Sequence, residues 1–507
     1  MKRNPNRLTT LKTSAAMLLT ATLLGGIPVQ TMAQVAPGFS PTDAEEEGYW
    51  YSRYNLGNLV MRSGMGEVAM PDKAIMMMAM RAVDADMDPA EFMAGNTGYG
   101  DGDHVTPPMN VAPLATVYKS GDPHYITQFN PPDFGTQRWD PAKMDTTLTG
   151  LANGFTILKE TEWARQFHVD DHFGTPDSDF GAYWRFVGMM MNMNAKMQAG
   201  SFLRNMSAYD LSNGGDAAML MGISDLANML AVDEMAHSDV PNRYRDPETA
   251  ALFAHGADIL AKQVMESEPD SIRGASLAIQ GLVWYAAKTA DSDGKAAALA
   301  KIISLTASLE GMTPADAAEQ ANMLRGLIEA HRTLGINSGT IMSMAAEMLD
   351  GFDMVNGVFT NQSLYTIDDI GEIMGALNAL RIFETADVDA DAVNEVFTSF
   401  WEHAVNISGM QQSAPPIFLA KAPFEFEGEP PFFFRYDQSQ PVPPMAGGEF
   451  GIAPVFATSV SYSGGSWSVV DSNFDTAGAM HASNQMIWFH YDEINGFPDV
   501  DLSDVIK

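Results

Sequence analysis

Apolar residues recur every three or four positions through residues 144–409, with short breaks between successive stretches. That spacing predicts helices with one face turned inward. Representative stripes are Leu148, Leu151, Phe155, Leu158; Ile272, Ala275, Ile279, Leu282; Ala317, Ala321, Leu324, Ile328; and Val393, Val396, Phe400, Ala404. About ten helices fit into this block. Residues 179–205 carry few charges and are apolar all round, which predicts the most enclosed helix of the set.

Helix starts are marked by a capping side chain before proline at Asp88-Pro89, Asp140-Pro141, Asp246-Pro247 and Thr313-Pro314. Thr313 to Asp316 and Thr366 to Asp369 also have the spacing of a capping box.

Outside the block the pattern changes. Residues 42–64 and 71–83 predict two N-terminal helices, the first with an acidic start followed by Tyr49, Trp50, Tyr51 and Tyr54. Residues 84–140 are rich in Gly, Pro, Asp and Asn and predict a long ordered loop region. After Gly409 comes a Pro- and aromatic-rich extended segment over 411–448. A strand pair over 452–470 follows, turning at Ser463-Gly464-Gly465-Ser466, and a last helix is expected over 477–495.

The organisation expected is therefore four parts. Residues 1–33 form a leader, 34–143 carry N-terminal helices and loops, 144–409 form the helical core, and 410–507 pack on that core. The fold class is all-α, a multi-helix antiparallel array with a small hairpin-containing C-terminal extension. Six helix pairs closing into an α/α toroid is the preferred arrangement. An open α-solenoid is the alternative, disfavoured by the lack of a fixed-period repeat.

The leader reads as a secretory signal. Lys2, Arg3, Arg7 and Lys12 precede the apolar run 15–27, and Thr31 and Ala33 suit a signal peptidase, giving a mature start near Gln34. Export to the periplasm or the medium is expected, without membrane insertion. The formal charge is −35, and loss of the leader would make it more negative. Such a surface repels nucleic acid and leaves a divalent cation, a glycan or a basic protein as compatible partners. Cysteine is absent, so disulfides and thiolate metal sites are excluded.

Several groups have the composition of a site. His168 and His172 lie one helical turn apart with Asp171 between them, a spacing that lets two imidazoles reach one metal. The alternative is a solvated helix end. Asp101, Asp103, His104, Asp122 and His124 are loop residues suited to calcium or to acid–base work. Glu162 continues an apolar stripe, where burial would raise its pKa, although an edge position in water is the plainer account. His331 extends another stripe and reads as a core histidine bonded to a backbone carbonyl. Glu234 and His237 have the Glu-x-x-His spacing of di-iron bundles, but no second copy exists.

Methionine is abundant, at 36 residues. Met189, Met193 and Met197 share a helical face, as do Met486 and His490 near His481. Thioether with imidazole would suit copper, whereas core packing explains the same clusters. No Walker A, dinucleotide fingerprint, nucleophile elbow or H-E-x-x-H is present.

Two functions remain. One is an exported acidic binding or scaffold protein that holds a divalent metal or copper through His, Asp and Met. The other is a secreted α/α-toroid enzyme, a hydrolase or lyase, that acts on a glycan through loop carboxylates and histidines. The absence of a catalytic motif favours the first.

Overall fold

The computed structural model of the chain describes residues 65–68, 114–125, 137–169, 179–234, 241–382, 388–411, 416–418, 434–436 and 456–486, with scattered positions over 39–60. The chain is mostly helical, and its helices pack as an antiparallel array. In order they are α1 (Gly150–Val169), α2 (Asp179–Arg204), α3 (Gly215–Ala231), α4 (Pro247–Glu266) and α5 (Ile272–Lys288). There follow α6 (Ser292–Glu310), α7 (Ala317–Leu334), α8 (Ser338–Asp350), α9 (Ile367–Ile382), α10 (Ala390–Trp401) and α11 (Thr476–Met486). The first ten fall inside the block with helical periodicity. The chain after α10 widens into a π-turn, Glu402–Ile407, and Gly409 then takes a left-handed conformation that ends the helical block.

Packing follows a simple rule. Each odd-numbered helix packs on the even-numbered helix after it and on the next odd-numbered one, and α11 packs on both α9 and α1. Odd helices are enclosed: α3 is buried over nearly its whole circumference, whereas α6 buries one stripe, Ala298, Ile302, Leu305 and Leu309. The close crossing of α1 on α3 depends on glycine. A Cβ on Gly154 would stand 2.3 Å from the carbonyl carbon of Ala218, and one on Gly222 would stand 2.6 Å from the carbonyl oxygen of Gly154.

Two expectations change here. The most enclosed helix is α3, not α2, whose Met189 is 43% exposed while Met190 and Met191 are buried. Apolar composition alone could not say which helix lies outside. The cap before α7 is Asp316, which accepts from the amide of Glu319, while the Glu319 side chain accepts from Ala315. The reciprocal box is thus one turn later than Thr313. Asp140 and Asp246 do cap their elements, and Thr366 with Asp369 forms the expected box at α9, at 2.9 and 3.1 Å.

Short strands brace the ends of the helices. The described parts of 84–140 contain β2 (Leu114–Val117), β3 (Ser120–Gly121), β4 (Pro123–Tyr125) and β5 (Gln137–Trp139), a regularity that the loop-like composition hid. β1 (Gly66–Val68) pairs with β2, and β4 with β5. The turn 354–357 joins β6 (Phe352–Asp353) to β7 (Val358–Phe359), and β8 (Leu364–Thr366) leads into α9. β9 (Pro416–Phe418) pairs with β10 (Phe434–Tyr436). The hairpin β11 (Ser459–Ser463) and β12 (Ser466–Asp471) turns at Gly464 and Gly465, both at positive φ, as a two-residue turn requires. β8 completes a three-stranded sheet with this hairpin, and β13 (Phe474–Asp475) pairs with β3.

The described positions of 41–60 are helical. Tyr51 stacks on Trp401 at 6.1 Å and donates to Asn406, while Ser52 donates to the carbonyl of Ser483. Residues 71–83 and the aromatic run 432–433 lie outside the described residues. Among the described residues no helix is long and apolar enough to cross a membrane.

Candidate functional site

The first turns of α5, α9 and α11 bring charged side chains together. At α5, Ser271 caps the helix by accepting from Gly274, which fixes Arg273 in the first turn. At α9 the Thr366–Asp369 box holds the turn that carries Asp368 and, one turn on, Glu372. At α11, Asp475 lies on β13, anchored by its pairing with β3 and by Phe474 against Trp139, and its Oδ2 accepts from Gly478.

Arg273 Nη2 donates to Asp368 Oδ1 at 2.6 Å, and its Nε lies 3.9 Å from Glu372 Oε1. Nε2 of His481, on α11, approaches the same Glu372 oxygen to 2.8 Å, without the alignment of a hydrogen bond. The His481 ring packs on Phe155 of α1 at 4.5 Å. Arg273 and Asp368 keep 25% and 20% of their side chains exposed, whereas Glu372 and His481 are buried. The cluster therefore has a wet rim and a dry floor.

Its electrostatics follow. Burial works against the charge on Arg273, but Asp368, Glu372, Asp475 and Asp369 more than offset it and hold the guanidinium above its ordinary range. Burial would raise Glu372; His481, Arg273 and Arg325 overcome it and hold the carboxyl below its usual value. Asp475 is pushed up to about 6, first by burial and then by the negative charge of Asp368. Asp369 also reaches about 6, through burial, with Asp368 and Asp316 adding to it. The rim thus pairs an acid whose pKa is raised towards neutrality with a carboxylate fixed by an arginine. That is the composition of an acid–base pair.

Beneath this cluster a polar seam continues. Arg325 pairs with Glu329 and reaches Gln485 Oε1 at 3.5 Å, Asn378 donates to the Gln485 carbonyl, and Arg381 donates to Asn378.

Of the residues singled out from the sequence, His481 alone lies in the cluster, facing Glu372. Met486 ends α11, and His490 lies outside the described residues. Glu162 pairs with Lys159, a fully buried lysine whose pKa is lowered by burial against the opposing pull of Glu162. Two residues earlier, burial pushes the carboxyl of Glu160 well above its ordinary range. Asp122 pairs with Lys143, and His124 sits in β4 opposite Arg138. His331 Nδ1 meets the carbonyl oxygen of Ile336 at 2.5 Å. Glu234 is exposed beside Pro241, outside any helix. His168 is in the last turn of α1; Asp101, Asp103, His104, Asp171, His172 and His237 lie outside the described residues. Among the described residues no three His, Asp or Glu side chains converge as a metal site requires.

No family model, curated protein or solved structure matches this chain.

Proposed function

We propose that the protein is an exported hydrolase that acts on a glycan, its helices closing into an α/α toroid around the Arg273–Asp368–Glu372–His481 cluster. The closure is supported by the chain of neighbours α1–α3–α5–α7–α9–α11, whose last member packs on its first. One observation carries the activity. Asp475, with a pKa of about 6, stands at a partly open rim with the arginine-held Asp368. In this reading Asp475 gives its proton to the departing glycosidic oxygen, and Asp368 activates water or attacks the sugar carbon, the division of labour glycosidases use. Arg273 orients Asp368, while Glu372, approached from its other side by His481, faces Arg273 from below. Export rests on the leader, and N-terminal sequencing of secreted protein should begin near Gln34.

The test is a panel of neutral, uronate-containing and amino-sugar polysaccharides, read for new reducing ends and for the ultraviolet absorbance of an unsaturated lyase product. Hydrolysis of one class is expected. Asp475→Asn should lower turnover by about 10²-fold or more with the helical circular dichroism intact. Cleavage that Asp475→Asn leaves unchanged, or no cleavage of any member, would remove the proposal. An unsaturated product would replace hydrolysis by elimination.

A further inference from the structure

The contact between α1 and α2 holds polar groups that the cluster above does not use. Glu160, in the middle of α1, is fully buried, and Gln198 of α2 donates Nε2 to its Oε1 at 3.2 Å. Among the described residues the other carboxylate oxygen, Oε2, has no hydrogen-bond partner, and neither does Gln198 Oε1. Asn194 lies one turn before Gln198, on the same face of α2. It is fully buried, and neither Oδ1 nor Nδ2 has a partner among the described residues. An unpaired buried polar group costs about 1–3 kcal/mol, so several at one contact call for a partner. Among the described residues no cation faces Glu160: burial pushes its carboxyl well above the ordinary range, opposed by the Gln198 amide. The adjacent Lys159 is engaged with Glu162.

We propose that Glu160, Asn194 and Gln198 form a buried oxygen-ligand site for a monovalent alkali cation, sodium or potassium. Carboxylate and amide oxygens are the ligands that hard cations take. The charge balance selects the valence. One carboxylate neutralises one positive charge, whereas a divalent ion would leave excess charge in a medium that solvates it poorly. The cation replaces the proton on Glu160 and joins α1 to α2 through side-chain oxygens. The site is independent of Asp475 and Asp368, so it stands whether or not the protein cleaves a glycan.

Thermal melts of the full chain in sodium, potassium and choline chloride at matched ionic strength test it. Relative to choline, sodium or potassium should raise Tm by about 1–2 °C for each tenfold increase in concentration beyond the binding midpoint. Glu160→Gln should abolish that rise, and Asn194→Leu should reduce it. Identical melting in the three salts overturns the site, as does a rise that survives Glu160→Gln undiminished, since the ion then binds elsewhere. If Glu160→Gln does not fold, the salt comparison on the unaltered chain and the Asn194→Leu variant decide.

Discussion

Arg273 and Asp368 meet at 2.6 Å from two helices, α5 and α9, that both pack on α7. The pair therefore spans a neighbour rather than joining adjacent helices. It ties the rim of the cluster together at a point where helix packing alone does not.

Removing that guanidinium leaves Glu372 buried with one fewer positive partner. Arg273→Ala is expected to cost about 2–4 kcal/mol in denaturant unfolding, below the full figure for a buried pair because the arginine is partly wet. Arg273→Lys should recover only part of the loss, since an ammonium cannot address Asp368 and Glu372 with a planar fork. A variant as stable as the parent would show that the pair contributes nothing.

Acid should strengthen the fold over one range of pH. Asp369 and Asp475 have native pKa values of about 6, above the ordinary carboxylate value of 3.8, so the native state binds their protons more tightly than the unfolded chain. Stability from these two groups therefore rises as pH falls from about 7 to about 4 and is constant below that. Asp246, held at about 2 by Lys196 and Thr249, acts in the opposite sense; its contribution is present above 3.8 and fades towards about 2. Melting temperature followed against pH should thus climb on mild acidification, and Asp475→Asn should flatten the climb. A pH profile of Tm left unchanged by Asp475→Asn and by Asp369→Asn would contradict both assignments.

Gly154→Ala places two principles in opposition. Alanine favours helix by about 1 kcal/mol, but its methyl would meet the backbone of α3, and overpacking costs about 1–3 kcal/mol or more. Backbone cannot yield as a side chain does, so a net loss of stability is expected, read as a lower denaturant midpoint. A stabilised variant would mean that α1 and α3 separate easily.

Asp316→Ala removes the cap of α7 and leaves the amide of Glu319 without its acceptor. A loss of about 1 kcal/mol is expected, whereas Thr313→Ala should change little. Comparable losses would return the cap to the earlier position.

What could be read from the sequence was local. The hairpin at Gly464-Gly465, the box at Thr366–Asp369 and the caps at Asp140 and Asp246 each depend on residues a few positions apart. Helical periodicity likewise located the helices. Enclosure was not local: α2 and α3 are both rich in Met, Gly and Ala, and only tertiary packing makes one a wall and the other a core. The candidate site was hidden for the same reason, being assembled from Arg273, Asp368, Glu372, Asp475 and His481 on separate elements. Two signals did exist. Arg273 follows Ile272 in a helix start, and Glu372 interrupts Ile370, Ile373 and Met374, so each is a charge set into an apolar face.

Because α11 packs on α1, the last helix of the array to be made is a neighbour of the array's first. During synthesis α1 leaves the ribosome long before that partner exists, and Phe155 must wait for His481. Native packing on that side is thus scheduled for the end of translation, and a nascent chain halted before Thr476 would present α1 and α9 with an open apolar seam for chaperones to cover.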